Sequence, residues 1–418
     1  MVSSDETFSA PKGTYDLLPP DSRRWVEATR LALDTFARAG YEPVETPAFE
    51  HTEVFERGVG AASEVVGKQM YTFTDKGGRS LTLRPEGTAS VMRAVLEHHL
   101  DRGPLPVKLA YGSFMFRQER PQKGRFRQFF QVGIEAIGTD DPVVDAEVIE
   151  VGTRYLGAMG VRSTLLLNSI GHPSESCRGG YVKLLADWLT ERADALAPVD
   201  RERIGANPLR TFDSKEERTI AVMREAPLIS EHLCDACSAH FDGVRALLER
   251  VQVAFEVEPR LVRGLDYYTR TAFEFVSGDL GSQSAVGGGG RYDGLAESLG
   301  GDPLPGIGFA LGMDRVLLAT DRERWSSPID AYVVTASPEA RSAAFELVTR
   351  LRAAGLGSDL DHAARSIKGQ MKDASRSGAR WTVILGDEEL ASGTAMLKRM
   401  DTGEQEQVPL EDVERRIT

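Results

Sequence analysis

Phe116-Arg117-Gln118-Glu119-Arg120-Pro121-Gln122-Lys123-Gly124-Arg125-Phe126-Arg127-Gln128-Phe129 is the stretch on which the reading of the chain turns. An apolar, strand-like run from Val107 to Met115 precedes it, and Phe130-Gln131-Val132-Gly133-Ile134-Glu135-Ala136 follows it. Two strand patterns around a polar loop punctuated by Pro121 and Gly124 predict an antiparallel hairpin with a long tip. Strand side chains alternate with period 2, so Arg117 and Glu119 fall on one face, and Phe129, Gln131 and Glu135 share a face of the return strand. Phe130, Val132 and Ile134 then point the other way, into a core. Six basic residues (Lys108, Arg117, Arg120, Lys123, Arg125, Arg127) and one acid, Glu119, lie between Lys108 and Gln128, a local +5 in a chain of net charge -13. Guanidinium forks match phosphate oxygens two at a time, and Phe offers a stacking face for a base. Such a surface suits a charged, planar ligand better than it suits plain scaffolding.

Composition narrows the class. With 418 residues, 41% of them apolar, the chain can bury a sizeable core and is expected to hold two or three domains. No window approaches 18 uninterrupted apolar residues, and Met1-Val2-Ser3-Ser4-Asp5-Glu6 carries neither the basic nor the apolar part of a secretion signal. Three cysteines are too few for a disulfide framework, so a cytoplasmic location is expected. The acidic balance argues against an indiscriminate nucleic-acid binder, yet it permits a local positive footprint.

Taken in order, Pro11 to Pro20 is turn-rich, and Asp21 or Ser22 is expected to cap a helix bearing Trp25, Ala28, Ala32 and Phe36 on one stripe and ending at Gly40. Gly40 to Phe49 reads as a helix running into a strand, with Pro47 near its end. Residues 70–95 read as strand, a turn at Gly77-Gly78, strand, loop and helix, the loop being Thr82-Leu83-Arg84-Pro85-Glu86-Gly87-Thr88. Glu86 there is either an acid at a helix start or an acceptor for a substrate ammonium. After a strand over residues 163–168, residues 172–255 form a charged, helical segment holding Cys177, Cys234 and Cys237, with His240 nearby. Zinc is formally possible, but one C-x-x-C with irregular spacing to the other two favours free thiols and no metal site. Leu261 to Phe275 carries Arg263 before Gly264, then Tyr267 and Tyr268. The run Gly287-Gly288-Gly289-Gly290 before Arg291-Tyr292, flanked by strand-like residues, leaves bare backbone for a ligand to lie against. Gly306 to Leu318 enters a helix with Arg315 in its first turns. Beyond Ser326-Ser327-Pro328, strand and helix alternate in a small α/β unit with a parallel-leaning sheet. From Ile329 on it has 12 basic and 15 acidic residues, so its charge does not announce RNA binding.

Phe116-Arg117-x-Glu119 with Arg125 and Phe129 resembles the second signature motif of class II aminoacyl-tRNA synthetases. Gly40 to Phe49 resembles the first motif, and Gly306-x-Gly308-Phe309-Ala310-x-Gly312-x-x-Arg315 the third. The fuller wording Arg117 to Arg125, the Arg84-Pro85-Glu86-Gly87-Thr88 loop, and the Leu261 to Phe275 and Ser284 to Gly294 segments are similar to the histidyl-tRNA synthetase family in particular. The resemblance covers essentially the whole chain apart from the helical insertion.

It implies an α/β fold: a class II catalytic domain over residues 1–325, of α+β type with an antiparallel sheet flanked by helices and an insertion at about 172–255, then an anticodon-binding α/β domain over 329–418. It implies that Glu86, Thr88, Gln131, Glu135, Tyr268 and Tyr292 bind histidine. ATP falls to Arg117, Glu119, Arg125, Phe129, Arg263 and Arg315, with Arg117 and Arg263 catalytic, while Arg120 and Gln122 touch the acceptor end of tRNA. The implied partners are L-histidine, ATP with Mg2+, and tRNA(His), in a homodimer whose interface lies around Gly40 to Phe49. Two rivals are a histidine-binding regulatory subunit without ligase activity and a class II synthetase for another amino acid. Regulatory paralogues tend to lack the Arg263 to Tyr268 segment and the C-terminal domain, and both are here.

Overall fold

In the computed structural model, residues 8–418 are described apart from 61, 62, 64, 282, 283, 323, 324 and 326. The lead Met1 to Glu6 and Ser326 of the expected linker lie outside the described residues. Up to Arg322 the strands run β1 (Glu42–Pro43), β2 (Phe49–His51), β3 (Tyr71–Thr74), β4 (Ser80–Leu83), β5 (Val107–Phe116), β6 (Gln128–Ile137), β7 (Thr164–Ser169), β8 (Glu256–Val257), β9 (Thr269–Val276), β10 (Ala285–Arg291) and β11 (Gly306–Gly312). Eight of them form one sheet in the order β1-β5-β6-β11-β10-β9-β7-β8, and β2-β4-β3 form a small second sheet. The six inner strands of the large sheet are antiparallel, while the two-residue edge strands β1 and β8 pair in parallel.

The expected hairpin is β5 and β6, with Met115 opposite Phe129 and Phe116 opposite Gln128. Its alternation divides the return strand between two environments. Phe130 packs against Trp25 and Phe114, at ring-centroid distances of 4.4 and 5.1 Å. On the same side Phe309 of β11 meets Phe36, and the helices Asp21–Arg38 and Pro142–Ala158 cover that face through Phe36 and Tyr155. Phe129, Gln131 and Glu135 take the opposite face, as their spacing predicts.

Three details differ from the sequence reading. β5 stops at Phe116, so Arg117 and Glu119 do not share a strand face. The Arg117 N–H still bonds the Arg127 carbonyl at 2.8 Å, but the Gln118 N–H turns away to the Gln69 carbonyl at 2.7 Å. Neither Asp21 nor Ser22 caps the first helix: Pro20 holds that position without a side-chain bond, and Asp21 inside the first turn complements the helix dipole. Pro47 falls between β1 and β2, since it has no N–H to give a ladder.

An internal ion pair ties the sheet to its helical cover. Arg291, fully buried at the end of β10, places Nε 2.9 and 3.0 Å from the two oxygens of the fully buried Asp145, and His240 Nε2 lies 3.0 Å from the same carboxylate. Two charges buried this deeply need each other, because either alone carries an unrepaid desolvation cost.

The chain divides into two compact units, Met1–Arg322 and Glu323–Thr418, the second with its own sheet. Its strands are β12 (Ala331–Thr335), β13 (Ser358–Leu360), β14 (Trp381–Leu385), β15 (Thr394–Arg399) and β16 (Gln405–Pro409), in the order β13-β12-β14-β15-β16. β13, β12 and β14 are parallel, connected through the helices Ala340–Ala353 and Ile367–Ser377, and β15 and β16 add an antiparallel hairpin at one edge. Val333, Leu347, Leu351, Val383 and Leu397 make its own core.

Candidate active site

Against the Phe129–Glu135 face of the large sheet lies a cavity of about 260 Å³. Its floor is backbone from β10 and β11, including Gly287, Gly288 and Gly308. Gly308 is required by close approach: a Cβ there would sit 1.9 Å from Glu135 Oε2 and 2.4 Å from the Ile134 carbonyl oxygen. Glycine at this one position lets the Glu135 carboxyl lie flat across the neighbouring strand.

One end of the cavity is a network of hydroxyls around two carboxyl groups. Glu135 is fully buried and accepts from Tyr292 Oη at 2.6 Å and Thr88 Oγ1 at 2.7 Å, with Tyr111 Oη at 3.4 Å. Burial pushes its pKa up to about 8, against the opposing effect of the Tyr292 and Thr88 hydrogen bonds. Glu86 stands at the start of the helix Thr88–Glu97 and accepts the N–H groups of Thr88 and Ala89 at 2.7 and 2.9 Å. Burial raises its pKa too, while those N–H groups and the charge of Arg117 work the other way. Both readings of Glu86 as a helix-start acid and as a pocket carboxylate are therefore compatible with one position. Tyr267 Oη lies 3.4 Å from Glu86, and Tyr268 packs against Tyr267 at 4.7 Å between ring centroids. Burial raises the pKa of every tyrosine in this group, so all act as hydroxyls. Gln131 Oε1 is buried with no protein partner among the described residues, an acceptor awaiting a donor.

The other end is cationic. Arg117 donates from Nε to the Pro85 carbonyl at 2.8 Å and stands over the Phe129 ring at 5.2 Å. Burial lowers its pKa, offset in part by Glu119 and Glu86. Arg263 lies 2.5 Å from Glu274 Oε1 and 5.9 Å from the Tyr268 ring centre. Burial opposes its charge, and the Glu274 carboxylate more than restores it, while its Nε is buried without a partner among the described residues. Arg125 pairs with Glu119 at 3.4 Å, and Arg315, at the start of the helix Met313–Ala319, donates to the carbonyls of Ala285 and Gly124. Four guanidinium groups converge on one cavity that Phe129 flanks.

The family model described as histidyl-tRNA synthetase matches residues 13–174 and 190–316. The chain belongs to the histidyl-tRNA synthetase family. Residues 330–418 match the model of an anticodon binding domain. A histidine--tRNA ligase of Rhodococcus erythropolis is 50% identical over 420 residues, covering 99% of this chain and 98% of its own length. The apo histidyl-tRNA synthetase of S. aureus aligns over 98% of this chain and 100% of its own, with TM-score 0.79 and 35% identity. A Bacillus halodurans protein described as an ATP phosphoribosyltransferase regulatory subunit/histidyl-tRNA synthetase shares the fold, at TM-score 0.64 and 23% identity over 91% of this chain and 99% of its own.

For this synthetase-family chain, Glu86, Thr88, Arg117, Glu119, Arg125, Phe129, Gln131, Arg263, Tyr268, Tyr292 and Arg315 all line the cavity, and Glu135 joins it through Thr88 and Tyr292. Arg120 and Gln122 do not: both are exposed on the hairpin tip, where Gln122 and Arg125 exchange backbone hydrogen bonds. Tyr111 and Glu274 are pocket residues that sequence reasoning passed over, and Tyr267, noted beside Tyr268, was given no role there. Tyr111 stands opposite Gly133, on the Gln131–Glu135 face, so carrying the alternation across the hairpin would have found it. Glu274 interrupts the apolar pattern between Phe273 and Phe275, which is a signal in itself.

Proposed function

We infer that the chain is an ATP-dependent histidine–tRNA ligase, which activates L-histidine as histidyl-adenylate and then esterifies it to the 3′ end of tRNA(His). One observation carries the assignment: a hydroxyl-and-carboxyl pocket and a cluster of four arginines occupy opposite ends of the same cavity. In this reading Glu86 and Thr88 receive the ammonium group, and Gln131, Glu135, Tyr268 and Tyr292 surround the imidazole. A buried acceptor and donor set of this kind rejects analogues that lack the matching group, since its polar atoms would then stay unpaired.

Attack by the histidine carboxylate forms a bond to the α-phosphorus and expels pyrophosphate. Arg117 and Arg263 stabilise the charge that develops on the α-phosphate, Arg125 and Arg315 hold the outer phosphates, and Phe129 stacks on adenine. The protein supplies position and electrostatics rather than a covalent intermediate. Glu119 and Glu274, which line the cavity, are hard oxygen donors that would hold a magnesium ion bound with ATP, and the ion would supply neutralisation of phosphate charge. The ribose hydroxyl of the tRNA terminus then takes the histidyl group and AMP leaves. Arg120 and Gln122, on the exposed tip, are placed in this scheme against the acceptor end, and residues 329–418 against the anticodon.

A homodimer through the Gly40 to Phe49 region fits the exposed, edge-to-face pair Phe49 and Phe73 beside it, 6.1 Å between centroids. A cytoplasmic location follows from the need for ATP and tRNA, and among the described residues no helix is long and apolar enough to cross a membrane. Pyrophosphate exchange into ATP, run with each amino acid separately, tests the assignment. Exchange with histidine alone is expected; no exchange with histidine, or equal exchange with another amino acid, refutes it.

A further inference from the structure

Where the helical segment leaves the sheet and where it returns, four metal-binding side chains meet. His172, Cys177, Cys234 and Cys237 each direct one donor atom into a cluster whose members all lie within 4.8 Å of one another. His172 Nδ1 is 3.1 Å from Cys237 Sγ and 3.7 Å from Cys234 Sγ. Donors bound tetrahedrally to one zinc ion, at about 2.3 Å for sulfur and 2.0–2.1 Å for nitrogen, stand roughly 3.5–3.8 Å apart. The cluster therefore already has nearly the size of a closed zinc shell.

The backbone gathers these atoms by definite means. Gly171, at φ +63°, turns the chain off β7, and a Cβ there would come 2.7 Å from Cys177 Sγ. Cys177 immediately precedes the helix Arg178–Thr190. Cys234 immediately precedes the helix Asp235–Arg250, whose first turn contains Cys237. Two helix N-termini thus meet at the cluster and bring the sulfur atoms together. His240 does not belong to the group, because Asp145 engages it. The regular spacing that marks a zinc motif in sequence is missing because His172 and Cys177 reach the cluster from one end of the insertion, and Cys234 and Cys237 from the other.

We propose that His172, Cys177, Cys234 and Cys237 form a structural Cys3His zinc site that staples the two ends of the helical insertion together. Binding releases the three thiol protons, and the resulting charge of -1 faces the Arg178 guanidinium, which interacts with Cys177 and Cys237. Arg178 Nη1 in turn donates to the Tyr268 carbonyl at 2.5 Å, and Ile170 and Gly171 exchange backbone bonds of 2.8 Å with Arg270. The staple is therefore one hydrogen bond away from the segment that carries Tyr268. The proposal stands on this geometry and does not depend on the ligase reading.

The full chain, grown in zinc-supplemented medium and purified without chelator, is assayed for metal by mass spectrometry. About one zinc per chain is expected. Reduced, metal-stripped protein is then titrated with Co2+, whose tetrahedral d–d bands and thiolate charge-transfer absorption report the donor set directly on the wild type. Cys234→Ser and His172→Asn should each weaken Co2+ binding by about 100-fold or more and shift the d–d bands. Stripping zinc should lower the melting temperature of the wild type and leave that of Cys234→Ser nearly unchanged. Substoichiometric zinc together with no tetrahedral cobalt spectrum overturns the proposal. So does a thiol count showing a Cys–Cys disulfide in protein kept under cytoplasm-like reducing conditions, or undiminished metal binding by both variants.

Discussion

Replacing Glu135 by Gln should make the free protein more stable while ruining its pocket. Glu135 ionises near 4.5 in the unfolded chain but only near about 8 in the folded one, because it is fully buried. With the folded pKa raised, the unfolded state loses its proton first, so stability falls as pH climbs from 4.5 to about 8 and is level above that. At about 1.36 kcal/mol per pH unit, the loss reaches roughly 4 kcal/mol at pH 8 and under about 1 kcal/mol at pH 5. Glu135→Gln keeps an acceptor for Tyr292 or Thr88 and has no charge to bury. An unfolding entropy of about 2.1 cal/mol/K per residue, over the roughly 320 residues of the N-terminal unit, converts that difference into a gain of about 6 °C at pH 8 and about 1 °C at pH 5. Differential scanning fluorimetry of ligand-free protein across pH 5–8.5 measures it. Saturating histidine should protect wild type and barely protect the variant, which cannot share a proton with imidazole. Melting curves whose difference does not change with pH would show that Glu135 is already ionised in the free pocket, and the reasoning fails.

Two further outcomes follow from the same geometry. Arg263→Ala should slow histidine-dependent pyrophosphate exchange by roughly 10²–10³, about 3–4 kcal/mol, as for the loss of one donor to a developing charge; histidine affinity by calorimetry should fall much less, and an equal fall would make Arg263 a ground-state binder. Truncation after residue 325 should leave exchange measurable and raise the Michaelis constant for tRNA, with a shallower salt dependence of tRNA binding; unchanged charging kinetics would rule out residues 329–418 as a tRNA-binding element.

How much could be read beforehand depended on whether a position's role is local. The β5–β6 hairpin and the two-faced alternation of Phe129 to Glu135 were legible because strand period and turn chemistry are written in adjacent residues. The alternation of β12, β13 and β14 with two helices was legible for the same reason. Arg117 and Arg315 were found through motif wording, but their actual partners, the carbonyls of Pro85 and Ala285, are set by tertiary packing. The Arg291–Asp145–His240 group was invisible, since its members come from three distant segments and nothing local marks a polar residue as internal. The same holds for the cysteines: their separation in sequence argued against a cluster that the fold assembles from the two ends of an insertion.

The backbone floor of the cavity has a bearing on how an inhibitor would fare against mutation. A compound anchored on the side-chain walls can be escaped by exchanging Gln131 or a tyrosine, at some expense in activity. A compound that lies flat on Gly287, Gly288 and Gly308 contacts atoms that every residue type shares, so escape there means adding a side chain. At Gly287 the new Cβ would be 2.3 Å from the Ala310 carbonyl oxygen, and at Gly288 it would be 2.5 Å from that of Phe273. Both obstacles are neighbouring strands of the same sheet, and they cannot yield without parting the ladder that holds the pocket open. Resistance at the floor and loss of the fold are thus the same mutation.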